Sequence, residues 1–182
     1  MRNPLLKISL IFFLLLAYGC VTHRESIKDG EELGKNEGLL LVYADLRWVG
    51  TNRDLRPGLE LSYKPSDNSF SLEKIRFFNN VTVRLIRVPA GEYVLTHCFF
   101  GFDLLGFPKP IPFTIKPGQV TYLGHFNGEV TWPKIGLLSD RRLKIDENAE
   151  AAKKDLSNRY PKLSSQVQFL NYAAAGILAK EF

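Results

Sequence analysis

The chain has 182 residues, of which 45% are apolar and 24% are charged, and its formal net charge is +5. This composition is ordinary for a globular protein, and the length accommodates one hydrophobic core and excludes two. The excess of basic residues is too small and too scattered to indicate a nucleic-acid surface, so we expect no nucleic-acid partner.

Residues 1–19 have the form of a secretory signal peptide. Arg2 and Lys7 give a positively charged start, and residues 8–17 form an apolar run that Ser9 alone interrupts. A helix needs roughly 20 apolar residues to cross the hydrocarbon core of a bilayer, and this run has about half of them. The pattern predicts a cleaved segment and not an anchor helix. Its removal leaves 22 basic and 19 acidic side chains, a balance of +3.

The signal segment ends in Ala-Tyr-Gly-Cys at residues 17–20, which resembles the lipobox of bacterial lipoproteins. In that family a small residue precedes a cysteine that receives a diacylglycerol thioether and becomes the new N-terminus after cleavage. Gly19 and Cys20 match the pattern, whereas Ala17 and Tyr18 depart from the Leu and the small residue that are usual there. The resemblance implies cleavage between Gly19 and Cys20 and lipidation of Cys20. An ordinary signal peptide with a chance cysteine is the alternative.

A lipidated Cys20 would make a membrane the partner of this chain, held through its N-terminal lipid. One acyl chain binds a bilayer only marginally, and two or more give stable attachment. Residue 21 is Val, and not the Asp that retains enteric lipoproteins in the inner membrane. The resemblance therefore implies a lipid-anchored protein of the bacterial cell envelope and favours the outer membrane.

Residues 20–38 predict a flexible tether. From Val21 to Gly38 the sequence is polar and charged and has no apolar periodicity. Such a stretch buries too little surface to offset the entropy cost of ordering it. About 18 flexible residues would span roughly 20 to 25 Å. A short helix at the edge of the domain is the alternative.

Residues 39–146 predict a domain of short strands. Runs of strand-forming residues are separated by turns rich in Pro, Gly and Asn, and we count eight or nine of them. Asn79 and Asn80 are typical of a two-residue hairpin turn between the strands 70–78 and 81–88. In residues 119–126, Val120, Tyr122 and Phe126 alternate with polar residues. The pattern predicts a mainly β fold, an antiparallel β-sandwich.

Two turns of this domain carry a second resemblance. "VPAGEY" at 88–93 and "IKPGQVTY" at 115–122 resemble the "PGxY" turns of carboxypeptidase regulatory-like and transthyretin-like β-sandwiches. The resemblance covers roughly residues 39–127. It implies a prealbumin-like or Ig-like sandwich with a non-catalytic role, and it transfers no functional residue.

Cys98 lies in "YVLTHCFF", which reads as a strand. With Cys20 acylated it has no partner for a disulfide within the chain. Burial is the usual position of such a cysteine, so we expect a thiol in the core. The alternative is an exported, hydrolase-like enzyme in which Cys98 acts with a distant histidine, because the adjacent His97 points to the opposite face of the strand.

"FFGFDLLGFPKPIP" at 99–112 is apolar and aromatic but is interrupted by Gly and Pro. If its large side chains are exposed, they form a patch suited to an envelope protein partner or an apolar ligand. The residues concerned are Phe102, Leu104, Leu105 and Phe107. The favoured alternative is a crossover whose side chains close the core.

Residues 147–182 predict a helical extension of one or two helices. Asp146 can cap a helix that ends near Arg159, and a second helix is expected at 165–180. Their apolar stripes are expected to pack against the strands and not against lipid, because the polar faces lack a basic cluster.

The sequence contains no metal-ligand spacing, no phosphate-binding loop and no nucleophile elbow. We therefore expect no metal, no cofactor and no enzymatic activity. The prediction is a binding or scaffolding module of the envelope.

Overall fold

The computed structural model describes residues 21–23, 26–50, 57–67, 71–78, 81–101, 103–131 and 141–171. Within these ranges the chain forms ten strands and two short helices. The strands are β1 (Val21–His23), β2 (Glu37–Val49), β3 (Leu59–Pro65), β4 (Leu72–Phe77), β5 (Val83–Pro89), β6 (Gly91–Phe100), β7 (Asp103–Ile115), β8 (Gln119–Thr131), β9 (Arg141–Asp146) and β10 (Gln168–Asn171). The helices are α1 (Ala149–Arg159) and α2 (Pro161–Ser164). The predicted mainly β fold with C-terminal helices is confirmed.

The strands form two sheets. Sheet A has the order β1-β4-β3-β6-β7 and is antiparallel except for the short β1, which runs parallel to β4. Sheet B has the order β10-β8-β2-β5, with β9 also paired to β8. In sheet B, β2 is antiparallel to β5 but parallel to β8. The prediction of an entirely antiparallel arrangement is therefore wrong for sheet B and for the β1–β4 pair of sheet A.

The two sheets share one hydrophobic core, which we call the first core. It includes Leu40 and Val42 of β2 from sheet B, and Leu61 of β3 and Phe113 of β7 from sheet A. All four side chains are buried. Burying them removes apolar surface from water, which is the main force holding the sheets together.

The single core that the length predicts is divided by sheet B into two layers, because a second core lies on the opposite face of this sheet, where the helices cover it. Leu39 and Leu41 of β2 pack there with Ala152 and Leu156 of α1. Because alternate residues of β2 face the two cores, its run Leu39–Val42 is apolar without interruption, as expected for a strand buried on both faces. The predicted packing of the first helix against the strands is confirmed.

A β-bulge in β8 changes which residues face each core. Leu41 of β2 pairs with Tyr122 and Val42 pairs with Gly124, so Leu123 is an extra residue. Gly124 has a φ of +133°, a conformation that glycine adopts without steric cost. Tyr122 consequently lies in the second core and Phe126 in the first. The alternation seen in the sequence at 119–126 is therefore interrupted by one residue.

β4 and β5, the strands on either side of residues 79–80, do not pair as the predicted hairpin. β4 belongs to sheet A and β5 to sheet B. Asn residues indicate that the chain reverses, but they carry no information on which sheet the next strand joins. Residues 79–80 themselves lie outside the described part.

The sequence predicts a free tether at 20–38, whereas residues 26–38 lie against sheet B. The backbone N–H of Ile27 donates to the carbonyl of Leu85 over 2.8 Å, and the Ile27 side chain is buried in the second core. The Asp29 carboxylate accepts two backbone hydrogen bonds of 3.1 Å at the start of α2. Arg87 of β5 also donates to the Glu32 carbonyl, so a stretch whose polar composition predicts disorder is fixed by several contacts with sheet B and α2.

The C-terminal prediction is correct for the first helix and wrong for part of the second. α1 begins at Ala149, after Asn148, because Asp146 is the last residue of β9. Residues 168–171 of the predicted second helix form β10, which pairs parallel with β8. Residues 172–182 lie outside the described part.

Candidate binding surface on the outer face of sheet A

Of the four residues predicted to form an exposed patch, the structure describes the side chains of Leu104 and Phe107, and these two differ in exposure. Leu104 is 57% exposed, whereas Phe107 packs against the first core. The backbone of Leu105 pairs with Cys98, and Phe102 lies outside the described residues. Of the four, Leu104 alone is seen to have the exposure that a partner contact requires.

Leu104 instead belongs to a patch built from several strands on the outer face of sheet A, the face turned away from the first core. Phe99 of β6 pairs with Leu104 of β7 and is exposed, and Phe78 follows β4 and is also exposed. An alanine-sized side chain at Gly58 would lie 2.9 Å from the Phe78 ring, so this ring covers the start of β3. We call Phe78, Phe99 and Leu104, with the charged residues Glu60, Lys74 and Arg76 beside them, the outer-face patch.

The exposure of Phe99 depends on an irregularity in β6. Tyr63 pairs with Leu95 and Ser62 pairs with His97, so Thr96 is an extra residue in β6. Alternation counted from the buried Leu95 would place Phe99 inside. The bulge reverses the alternation, so that Cys98 is buried and Phe99 is exposed.

An ion-pair cluster lies next to these apolar side chains. The Glu60 carboxylate, only 11% exposed, contacts Lys74 Nζ at 2.5 Å and Arg76 Nε at 2.5 Å. Burial opposes the ionisation of Glu60, but the hydrogen bonds from Lys74 and Arg76 outweigh it and lower its pKa. One carboxylate therefore holds two cations in place and leaves the cluster with one net positive charge.

Lys74 links this cluster to the aromatic part of the patch. Its Nζ lies 6.0 Å from the centroid of the Phe99 ring, at the outer limit of a cation–π contact. The His97 ring meets Phe99 edge-on, with centroids 6.1 Å apart, and its Nδ1 lies 3.0 Å from the Thr96 hydroxyl. Burial and the nearby Lys74 lower the pKa of His97, so this ring is neutral at pH 7. The positive charge of the patch comes from Lys74 and Arg76.

The arginines of β4 and β5 contact other groups of the chain. Arg76 binds Glu60, and Arg84 Nε donates to the carbonyl oxygen of Arg76 over 2.9 Å. Arg87 lies 3.2 Å from a carboxylate oxygen of Glu31.

Cys98 lies in the first core, which confirms the predicted burial. Burial raises the pKa of the Cys98 thiol to about 12. Nucleophilic cysteines act as thiolates and have lowered pKa values in partly exposed, electropositive surroundings. The environment of Cys98 is the opposite, so the thiol is poorly placed for the catalytic role considered as the alternative.

In a Cys20→Ser variant, where Cys98 is the remaining thiol, we expect a maleimide reagent to leave the folded protein unmodified. Burial denies access and keeps the thiol protonated. Mass spectrometry of the intact protein checks this, with the same sample in denaturant as the control that must gain one adduct. Complete native labelling at neutral pH would show that Cys98 is accessible.

No protein-family model matches this chain, and no curated protein is similar to it in sequence. Among the described residues, no group of three or more His, Cys, Asp or Glu side chains is placed to hold a metal ion. No helix in the same ranges has the length and apolar character that crossing a bilayer requires. Gly19 and Cys20 lie outside these ranges, so cleavage and lipidation stay predictions.

Proposed function

We propose that the protein is a lipid-anchored lipoprotein of the bacterial envelope, attached through Cys20 to the outer membrane. Its two-sheet body acts as a non-enzymatic binding or scaffolding module for another envelope component. The observation that carries the proposal is the N-terminal sequence: a charged start, an apolar run too short to span a bilayer, and a small residue before Cys20.

The position of β1 supports a close attachment. β1 begins at Val21, directly after Cys20, and Val21 pairs with Leu72 at the edge of sheet A. Consecutive Cα atoms are about 3.8 Å apart. A lipid on Cys20 would therefore lie within one residue of the sheet, and the body would be held at the bilayer surface without a spacer.

The chemistry of the outer-face patch supports binding over catalysis. Exposed Phe99 and Leu104 beside the cations of Lys74 and Arg76 give a surface that can contact an apolar and negatively charged partner. We also propose that the two sheets are a variant of the prealbumin-like or Ig-like sandwich that the turn sequences resemble. The parallel pairing of β2 with β8 is then a departure from the antiparallel form of that fold.

The test is the covalent state of Cys20 in full-length protein expressed in a Gram-negative host and extracted from its membranes. We expect mass spectrometry to find a mature N-terminus at Cys20 that carries acyl chains. The Cys20→Ser variant should remain unprocessed or become soluble, whereas a Cys98→Ala variant, the matched control, should be processed and partition into the detergent phase. An uncleaved signal peptide, or a mature N-terminus without acyl chains, would contradict the proposal.

A further inference from the structure

We propose that the outer face of sheet A lies flat against the bilayer that holds the Cys20 lipid. Phe99 and Leu104 would lie at the membrane–water interface, and Lys74 and Arg76 would face lipid phosphates. This inference rests on the proposed lipid anchor and adds which surface of the body meets the membrane.

The residue after Cys20 lies at an edge of sheet A. Val21 pairs with Leu72 of β4, so the residue that would carry the lipid adjoins an edge of sheet A. Neighbouring strands lie about 4.8 Å apart, and β7, which carries Leu104, is the fourth strand from β1. The whole outer face therefore lies within roughly 20 to 25 Å of the lipid attachment point. The lipid and this face can therefore meet the same bilayer surface.

Exposed apolar side chains are distributed unevenly over the surface of the described residues. The large hydrophobic residues with exposed side chains in the described ranges are Val49, Phe78, Phe99 and Leu104. Three of these four lie on the outer face of sheet A. The corresponding face of sheet B is covered instead, because α1 and α2 pack on it through the second core. Clustered exposure of this kind marks an interaction surface.

The apolar residues of the outer-face patch lie beside a net positive charge. Glu60 is shared between Lys74 and Arg76, which leaves one net positive charge next to Phe99. Amphipathic side chains place their apolar parts in the interface and their charged ends among headgroups. Anionic lipids attract such cations. The same side chains would suit a bilayer as the partner, with the lipid anchor as the second attachment signal that stable binding needs.

An upright orientation of the sheet would place the outer-face patch differently. Val21 lies at the level of Leu72, whereas Phe99 lies at the level of Glu60 and Arg76, further along β4. Four residues of strand correspond to about 13 Å. If the sheet stood upright on the Cys20 end, Phe99 and Leu104 would be held away from the lipid in water.

The experiment uses acylated full-length protein in vesicles of phosphatidylethanolamine and phosphatidylglycerol. Spin labels are attached to two single variants, Phe99→Cys and Leu104→Cys, and to the control Val49→Cys. Val49 and Phe99 are matched in exposure, at 40% and 39%. The buried Cys98 should not react. Depth measurement by electron paramagnetic resonance, with oxygen and a water-soluble nickel complex as relaxing agents, reports the position of each label.

We expect the labels at 99 and 104 to lie within about 5 to 10 Å of the headgroup–acyl boundary, and the label at 49 to stay in water. If mass spectrometry shows acylated Cys20 but the outer-face labels are as accessible to the nickel complex as the control, the inference is overturned. The anchor would then stand, with the body upright or its patch reserved for a protein partner. An unacylated N-terminus would overturn both proposals.

Discussion

Gly38→Ala is expected to destabilise the folded protein by about 3 kcal/mol, the upper part of the range for overpacking a dense interior. Gly38 lies in β2, where a Cβ atom would overlap the carbonyl oxygen of Lys116 and lie 2.8 Å from the Ile115 side chain. The turn that contains Lys116 is fixed by a 2.9 Å hydrogen bond from the Gly118 N–H to the Glu37 carbonyl. Because the nearest obstacle is backbone, it cannot move aside as a side-chain tip would.

Gly91→Ala is the matched control for this substitution. A Cβ atom at Gly91 would meet the Tyr93 ring at 3.5 Å, an ordinary contact distance. We expect its free energy of unfolding to differ from that of the parent by no more than about 0.5 kcal/mol. Urea denaturation followed by circular dichroism measures both variants. If both substitutions lowered the free energy of unfolding equally, the close approach of Gly38 to the Lys116 carbonyl would not be decisive for stability.

Glu60→Gln is expected to lower the free energy of unfolding by about 2 kcal/mol at pH 7. The substitution keeps the size of the side chain but removes the charge shared by Lys74 and Arg76. Lys74 is only 18% exposed, so water replaces the lost carboxylate poorly. Two neighbouring cations would then repel each other without a counter-ion between them.

The control for this prediction is Glu129→Gln. Glu129 pairs with Arg47 at the surface, where the arginine side chain is 71% exposed. Exposed ion pairs contribute little to stability, so we expect the free energy of unfolding to fall by less than about 0.5 kcal/mol. A result in which Glu129→Gln costs as much as Glu60→Gln would refute the importance assigned to the buried cluster.

The stability difference between the parent and Glu60→Gln should also depend on pH. The pKa of Glu60 is lowered in the folded state. A glutamate in an unfolded chain has a pKa of about 4.3. Stability from such a group is complete above the unfolded pKa and is lost as the pH falls through the lower folded pKa. The difference should therefore be constant from pH 7 to about 5 and shrink below about pH 4. Denaturation curves across this range measure it, and a difference that grows on acidification would contradict the assignment.

The sequence predicts individual strands well because each depends on local composition. The run Leu39–Val42 reads as a strand, and Cys98 is placed in the core by the usual burial of cysteine. Pairing between strands depends on residues far apart in the chain, which local patterns do not encode. Hence the sequence does not reveal the parallel pairing of β2 with β8 or the strand at 168–171.

The outer-face patch shows the same limit. Leu104 could be named from the sequence because Gly and Pro residues around it indicate an irregular strand. Outward placement of Phe99 follows only from the predicted burial of Cys98, because the extra residue at Thr96 reverses the alternation counted from Leu95. The contact of Lys74 with both Glu60 and Phe99 requires the order β4-β3-β6, which is a property of the assembled sheet.

The parallel pairing of β2 with β8 sets the order in which this polypeptide can fold. Leu39 meets Val120, and α1, which covers the same part of sheet B, lies later still in the chain. Contacts between such distant segments slow folding, since a long loop must close before they form. A chain that emerges from its N-terminus, whether from a ribosome or a secretion channel, would therefore pair β2 with β5 first and leave the β8 side of β2 unpaired until most of the polypeptide has followed.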